Sequence, residues 1–402
     1  MIAGPDLRRA FVAACGIVLG VPHVVDAQGW APRVYILNVP VFSASGQWSS
    51  ASASHISRVR VMADPSYRSL RLDVAYEHLV QVRLQGSPAA GGVVFGALGG
   101  GGDWLPLQGT VLHDGRVTWR HRVDRLAVRW ASSAVEVTAG RQTISWASTI
   151  MLTPADPFQP FDPADPFRTY RAGVDALRVR VFTGPFASVE AVGRVFESLD
   201  GATGTLLARW ASDWGRLGAA AWAGMLHDRA AASVGLTVTA GGAVFRGEAA
   251  VRETIGDPVL RVAVGVDRSF QIADRTLYAL VEFQHDGFGG TGPADYLGVA
   301  ASDPARRGEL QTVGRDLAAG TLSYAIHPLV SLGLLSLVNL RDPSVLAAPS
   351  LTWSVGQETT LRVGGYLGAG AVTEALTSTV VIPGSEFGPV PLIGFAAFEM
   401  FF

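Results

Sequence analysis

The chain has 402 residues, 49% of them aliphatic or aromatic and only 16% charged, and 34 acids against 32 bases leave a formal net charge of −2. Such a near-neutral balance gives no basis for a nucleic-acid partner. The single cysteine, Cys15, excludes a disulfide framework and a thiolate metal site.

Arg8 and Arg9 followed by the apolar run from Ala10 to Val25, with Val25-Asp26-Ala27 at the cleavage position, predict a secretory signal peptide over residues 1–27. The competing motif is a lipoprotein box at Val12-Ala13-Ala14-Cys15. The apolar stretch before that cysteine is short and a further apolar run follows it.

From Leu70 to Gln85 apolar and polar residues alternate. Leu70, Leu72, Val74, Tyr76, Val80, Val82 and Leu84 share one face, with Arg71, Asp73, Ala75, Glu77, Gln81, Arg83 and Gln85 on the other. A strand of this length, apolar on one side, suits a tilted membrane barrel. The same pattern opposes Val117, Trp119 and His121 to Arg120 and Arg122, and Leu177, Val179 and Val181 to Arg178 and Arg180. It recurs at Val262–Asp267 and Leu277–Gln284. His113-Asp114-Gly115, Ala240-Gly241-Gly242 and Gly256-Asp257-Pro258 predict turns between strands. Trp and Tyr near strand ends, among them Tyr76, Trp119, Trp130, Trp210, Trp214 and Trp222, suit interfacial girdles or an aromatic core.

Leu317 to Leu340 is long and apolar enough to cross a bilayer as a helix, but His327-Pro328 at its centre favours a hairpin. Without helical spans, a closed barrel is the structure that satisfies every backbone polar group in lipid. At roughly 20 to 24 residues per strand with its connection, the chain beyond residue 27 makes about 16 to 18 strands.

Two segments are too long for hairpin turns. Residues 147–172 carry Pro154, Pro157, Pro160, Pro163 and Pro166 among Asp and Phe, a density that forbids a ladder strand or a helix. They predict an inward constriction loop carrying Asp156, Phe158, Asp162, Asp165 and Phe167, or an external cap. Residues 286–312 are Gly-rich, then polar, with a short helix near Pro304 to Leu310.

Gly140-Arg141-Gln142-Thr143-Ile144-Ser145-Trp146 and Tyr170-Arg171-Ala172-Gly173-Val174-Asp175-Ala176-Leu177 resemble a stretch shared by porin-like outer-membrane barrels distantly related to the alginate-export porins. Val338-Asn339-Leu340-Arg341-Asp342-Pro343-Ser344, Pro349-Ser350-Leu351 and Glu386-Phe387-Gly388 resemble the closing segment of the same group. The group usually has glycine after the tryptophan where this chain has Ala147, so any conformation that needs that glycine is open to question. The last strand, Ile393 to Phe402, resembles the aromatic terminal signature of these barrels. That resemblance implies the barrel-assembly machinery as a partner through Phe402.

All 32 basic residues are arginine. Guanidinium forks suit carboxylate and phosphate, and arginine rings are one way to build an anion-preferring pore. Acids on the same inward faces, including Glu77, Glu190, Glu248 and Glu282, would instead make a ladder of lumenal ion pairs. Candidate pore-lining residues are Arg71, Arg83, Arg120, Arg122, Arg141, Arg178, Arg180, Glu190 and Glu282.

No nucleophile elbow or phosphate-cradling loop is present. The pairs His113-Asp114, His227-Asp228 and His285-Asp286 fall at turns or strand ends, and Asp156, Asp162 and Asp165 are turn-formers beside prolines that could also offer oxygen ligands to Ca²⁺. The sequence thus predicts an all-β, transmembrane antiparallel barrel over residues 28–402, in the lipid of a Gram-negative outer membrane, without cofactor, metal or covalent chemistry. It would pass small polar or anionic solutes by diffusion. The alternatives are a barrel enzyme acting on lipid and a plugged structural or adhesion barrel.

Overall fold

The computed structural model describes residues 31–46, 50–86, 104–158, 163–165, 167, 169–198, 201–372, 374–375 and 381–402. The segment read as a signal peptide and Asp162 lie outside them. The strands are β1 (Arg33–Ser43), β2 (Ser52–Ala63), β3 (Ser66–Tyr67), β4 (Leu70–Gln85), β5 (Gln108–Asp114), β6 (Val117–Ala131), β7 (Val135–Gln142) and β8 (Val174–Gly184). They continue as β9 (Ala187–Ser198), β10 (Gly201–Asp213), β11 (Leu217–Leu226), β12 (Arg229–Ala240), β13 (Ala243–Arg252), β14 (Val259–Ile272), β15 (Arg275–Asp286), β16 (Asp316–His327) and β17 (Val330–Asn339). The last are β18 (Ser344–Gly356), β19 (Thr359–Ala369), β20 (Glu374–Ala375), β21 (Val381–Ile382) and β22 (Ile393–Phe401). Two short helices, α1 (Pro293–Ala300) and α2 (Asp303–Arg306), lie between β15 and β16.

All strands except β3, β5, β20 and β21 form the wall, eighteen in number. Each pairs antiparallel with the next, and β22 closes the circle by pairing Tyr35 with Phe401 and Asn38 with Phe398. Closure leaves no sheet edge with unpaired amides, which is what lipid demands of a β structure. The segment 317–340 is the expected hairpin, with strands β16 and β17 joined through Pro328 and Leu329.

One rim carries short connections and the other carries the long ones. Tight turns occur at Gly241-Gly242 and Ala273-Asp274, where both residues have positive φ, the conformation of a type I′ hairpin. The segments 86–116, 143–173, 287–315 and 370–392 all leave the opposite rim. This asymmetry is that of an outer-membrane barrel, with short periplasmic turns and longer external loops.

The outer surface is an apolar band: Leu206, Val234, Leu236, Val264, Val281, Leu351 and Leu367 are all exposed. Trp130, Trp210, Trp214 and Trp353 stand on this outer face near the short-turn rim, as a girdle requires. Trp222 does not join them. It points inward, buried against Trp146 of the long loop, because Ala221 and Ala223 take the outward positions on β11.

The inner face is less polar than the alternation predicts. Tyr35, Leu37, Val39, Tyr366, Ile393 and Phe395 turn inward and are buried, because segment 143–173 folds into the barrel and packs Met151, Leu152 and Phe167 on them. Ile144, Trp146, Ala155 and Phe158 of the same segment pack on Val192, Leu207 and Trp222 of the other wall.

Candidate functional site

The inserted loop, residues 143–173, starts where β7 stops and is fixed at both ends. Arg141 makes a two-pronged ion pair with Asp175, Nε to Oδ1 and Nη2 to Oδ2, each at 2.8 Å, and its guanidinium also donates to the carbonyls of Val123 and Leu105. Gln142 donates to the carbonyl of Ala176 at 3.0 Å. At the far end Gly173 comes so close to β6 that a Cβ there would stand 2.2 Å from the carbonyl oxygen of Asp124. These contacts account for the Gly-Arg-Gln and Arg-Ala-Gly pieces of the motif.

Within the loop, Asp156 is the organising carboxylate. It accepts from Ser145 Oγ at 2.9 Å and from the amides of Trp146 and Phe158, and Arg171 donates to it at 2.8 Å. Burial pushes its carboxyl above the ordinary carboxylate range, against the opposing influence of Arg171 and these donors. Asp165 accepts from the amide of Phe167 at 2.9 Å, a local turn. Phe158 stands edge-on to Trp146, and Phe167 edge-on to Phe395. Asp156, Phe158, Asp165 and Phe167 therefore hold the described part of the loop against the inner wall. Ala147 is not among the residues of positive φ, so nothing at that position calls for glycine.

Two carboxylates on the distant wall hold the loop by its backbone. Glu248 of β13 accepts from the amides of Ser148 (2.7 Å), Thr149 (3.2 Å) and Ala155 (3.1 Å). Glu282 of β15 accepts from Ile150 (2.7 Å), Met151 (2.8 Å) and Leu152 (2.7 Å). Gln311 adds a reciprocal pair with the amide of Thr153 and the carbonyl of Met151. Loop amides that lack secondary structure are thereby satisfied without water.

The remaining charges fall into two groups. Arg58, Arg60, Arg122 and Arg125 surround Glu77 and Asp124 in a buried network on β2, β4 and β6, roofed by Tyr170, whose ring lies 4.4 Å below the Arg60 guanidinium. This cluster is a packed wall, and Arg122 belongs to it instead of to an open channel.

The second group lies on β8, β9 and β10 beside the loop. Arg178 and Arg180 both donate to Glu190 Oε2, at 2.7 and 2.8 Å, while Trp146 Nε1 donates to Glu190 Oε1 at 2.6 Å. Arg209 is register-paired with Glu190 and reaches over the Trp146 ring, 5.9 Å from its centroid. Two guanidinium groups thus share one carboxylate, with a third on the neighbouring strand. Among the described residues neither Arg209 nor Arg120 has a carboxylate within ion-pair distance.

Other predicted pore residues lie elsewhere. Arg141 is register-paired with Leu126, which faces outward, so its side chain fills the wall beneath Leu105 and not the lumen. A register error of one residue inverts a strand face, and β7 ends at this point. Arg71 is an exposed rim residue paired with Asp64, and Arg83 is exposed at the other end of β4. Arg209, Glu248 and Gln311 belong to the site but are absent from the predicted set. The alternation of Leu207 and Arg209 against Leu206 and Trp210 carried the signal for the first.

The far rim is closed on one side by a second assembly. Asn339 Nδ2 donates to Glu386 Oε2 at 2.7 Å and to Tyr296 OH at 2.8 Å, and that hydroxyl donates to Asp342 at 2.7 Å. The amide of Glu386 donates to Asp342 (2.6 Å), that of Val313 to Glu386 Oε1 (2.8 Å) and that of Phe387 to Ser344 Oγ (3.3 Å). The Asn-Leu-Arg-Asp-Pro-Ser and Glu-Phe-Gly motifs, far apart in sequence, meet here. Burial raises the Glu386 carboxyl to about 7. Near this rim His227, buried and facing Arg194, Arg307 and Arg252, is lowered to about 2 and stays neutral.

No family model matches the sequence, and no curated protein matches it. Solved structures do. Acinetobacter baumannii OccAB3 aligns with a TM-score of 0.56 at 9% identity, covering 94% of this chain and 100% of that one. The outer membrane protein OpdK from Pseudomonas aeruginosa aligns at 0.52 and 11% identity, over 92% and 99%. A BenF-like porin from Pseudomonas fluorescens Pf-5 aligns at 0.52 and 10% identity, over 93% and 98%. The shared property is the fold: this chain folds as the same kind of closed antiparallel β-barrel.

Proposed function

We propose that the chain is a porin-like channel of a Gram-negative outer membrane that passes small solutes by diffusion and prefers anions. The observation that carries this reading is how the lumenal carboxylates are occupied. Acids are as numerous as arginines, but Glu248 and Glu282 are engaged by loop amides, and Asp156 by amides, Ser145 and Arg171. Glu190 takes both Arg178 and Arg180, and Arg209 on the next strand has no carboxylate within ion-pair distance among the described residues. The field left beside the loop is positive, and in a lumen with low-dielectric walls such a field raises the local concentration of anions.

The described lumenal side chains beside the loop converge on ion pairs and loop anchors, which favours diffusion over lipid hydrolysis. Kinship with the alginate-export porins rests on the sequence stretches alone and agrees with a diffusion channel. Liposome swelling tests the reading. Protein-containing vesicles should swell faster in isotonic small carboxylates than in ammonium-bearing solutes of equal size. Equal rates for both would remove the anion preference, and no swelling in any solute would remove the channel.

A further inference from the structure

The outer surface changes character over β1, β2, β4 and β6. On the opposite wall, outward positions are large and bare to the membrane: Val234 is 57% exposed, Val264 49% and Val281 59%. Midway along β1 and β2 the outward residues are Asn38, Ser57 and His55, because Leu37, Val39, Ile56 and Arg58 take the inward positions. The Ser57 hydroxyl donates to Asn38 Oδ1 at 2.8 Å, and His55 Nε2 lies 3.1 Å from Ser57 Oγ. With the hydroxyl proton on Asn38, His55 Nε2 is the donor and its Nδ1 is left as an acceptor.

The next strands continue the patch. His78 on β4 and Trp119 and His121 on β6 face outward beside Val59, and Trp119 Nε1 donates to His78 Nδ1 at 3.0 Å. Since indole nitrogen only donates, the neutral His78 ring carries its proton on Nε2. Among the described residues Asn38 Nδ2, His78 Nε2 and His55 Nδ1 have no hydrogen-bond partner. On the other flank β22 presents Gly394 and Ala396 outward, and a Cβ on Gly394 would meet nothing within 4 Å. They alternate with the exposed rings of Phe42, register-paired with Gly394, and Phe398, register-paired with Asn38.

We propose that this sector is a protein interface and that its occupant is a second copy of this chain, related by a two-fold axis along the membrane normal. Hydrocarbon cannot satisfy the free donors and acceptor of Asn38, His78 and His55. A soluble partner cannot reach groups halfway along wall strands. Rotation about the membrane normal preserves depth, so the patch meets itself, and it holds both free donors and a free acceptor, as an isologous contact needs. The steps at Gly394 and Ala396 between Phe42 and Phe398 offer room for the partner's outward side chains. This inference is independent of what the lumen conducts.

The test is the mass of the full chain extracted with its native lipid in copolymer discs. The expected result is two copies per particle, falling to one in the variant Asn38→Leu, Ser57→Val, His78→Leu, with the heat-modifiable gel shift of the folded barrel retained. Should that variant not fold, cysteine cross-linking in intact membranes decides. Ser57→Cys should give a disulfide-linked dimer and Val264→Cys none. One copy per particle, a particle holding a different polypeptide, a dimer indifferent to the triple variant, or equal cross-linking at both cysteines would overturn the proposal.

Discussion

Glu282 on the wall accepts the backbone amide of Met151, 131 residues away in sequence, at 2.8 Å, and the same oxygen takes the amide of Leu152. A side chain from one wall thus holds a loop that enters from the other. Charge-assisted hydrogen bonds of this kind contribute roughly 1.5 to 3 kcal/mol each.

Glu248→Ala combined with Glu282→Ala should therefore release the loop while the barrel stays folded. Single channels of the double variant should show larger mean conductance and added current noise, whereas each single variant should show a smaller change of the same sign. Conductance traces of the three proteins in one bilayer system check this.

Charge beside the loop should set selectivity. Replacing Arg178, Arg180 and Arg209 together by Gln removes both partners of Glu190 and the positive charge beside it, and turns the local field negative. The reversal potential in a salt gradient should move toward cations, with Arg209→Gln alone moving it part of the way. Arg71→Gln, at the rim, should leave it nearly unchanged.

Gly173 is fixed by contact, since a Cβ there would meet the carbonyl of Asp124 at 2.2 Å, and both are backbone-anchored. Gly173→Ala should destabilise the loop junction by about 1 to 3 kcal/mol through overpacking. Denaturant unfolding followed at Trp146 should show the loss, and Gly298→Ala, with nothing within 4 Å, should not.

The far-rim assembly should depend on pH. Burial raises the Glu386 carboxyl from 4.5 to about 7, so the docked state holds a proton that the released segment would give up. Its stabilising contribution is fully present below about pH 4.5 and is lost as pH rises through about 7, a change of roughly 3 kcal/mol. Amide exchange across 383–392 should show weaker protection at about pH 8 than at about pH 5 after correction for intrinsic rate, and Glu386→Gln should flatten that difference.

The wall was legible because lipid enforces a period of two: Leu70 to Gln85 and the 317–340 hairpin could be placed from alternation and one His-Pro step. That the described part of residues 147–172 forms no ladder was legible from proline density. The inner face was not. Leu37, Val39 and Phe395 can be apolar on the inner face because the loop covers them, and that covering is a contact between remote segments. Arg141 illustrates the same limit, since its face depends on where β7 ends. Glu248 and Glu282 read as lumenal charge, whereas their function as amide acceptors follows only from the loop's path.

Under the proposed function, positive charge beside the inserted loop lines an open passage. Single-channel recording of the refolded chain in a planar bilayer, with a salt gradient across it, tests this most directly. Discrete open steps with a reversal potential of anion-selective sign are the predicted result. A cation-selective reversal potential, or silence from protein whose gel mobility shows a folded barrel, would contradict it.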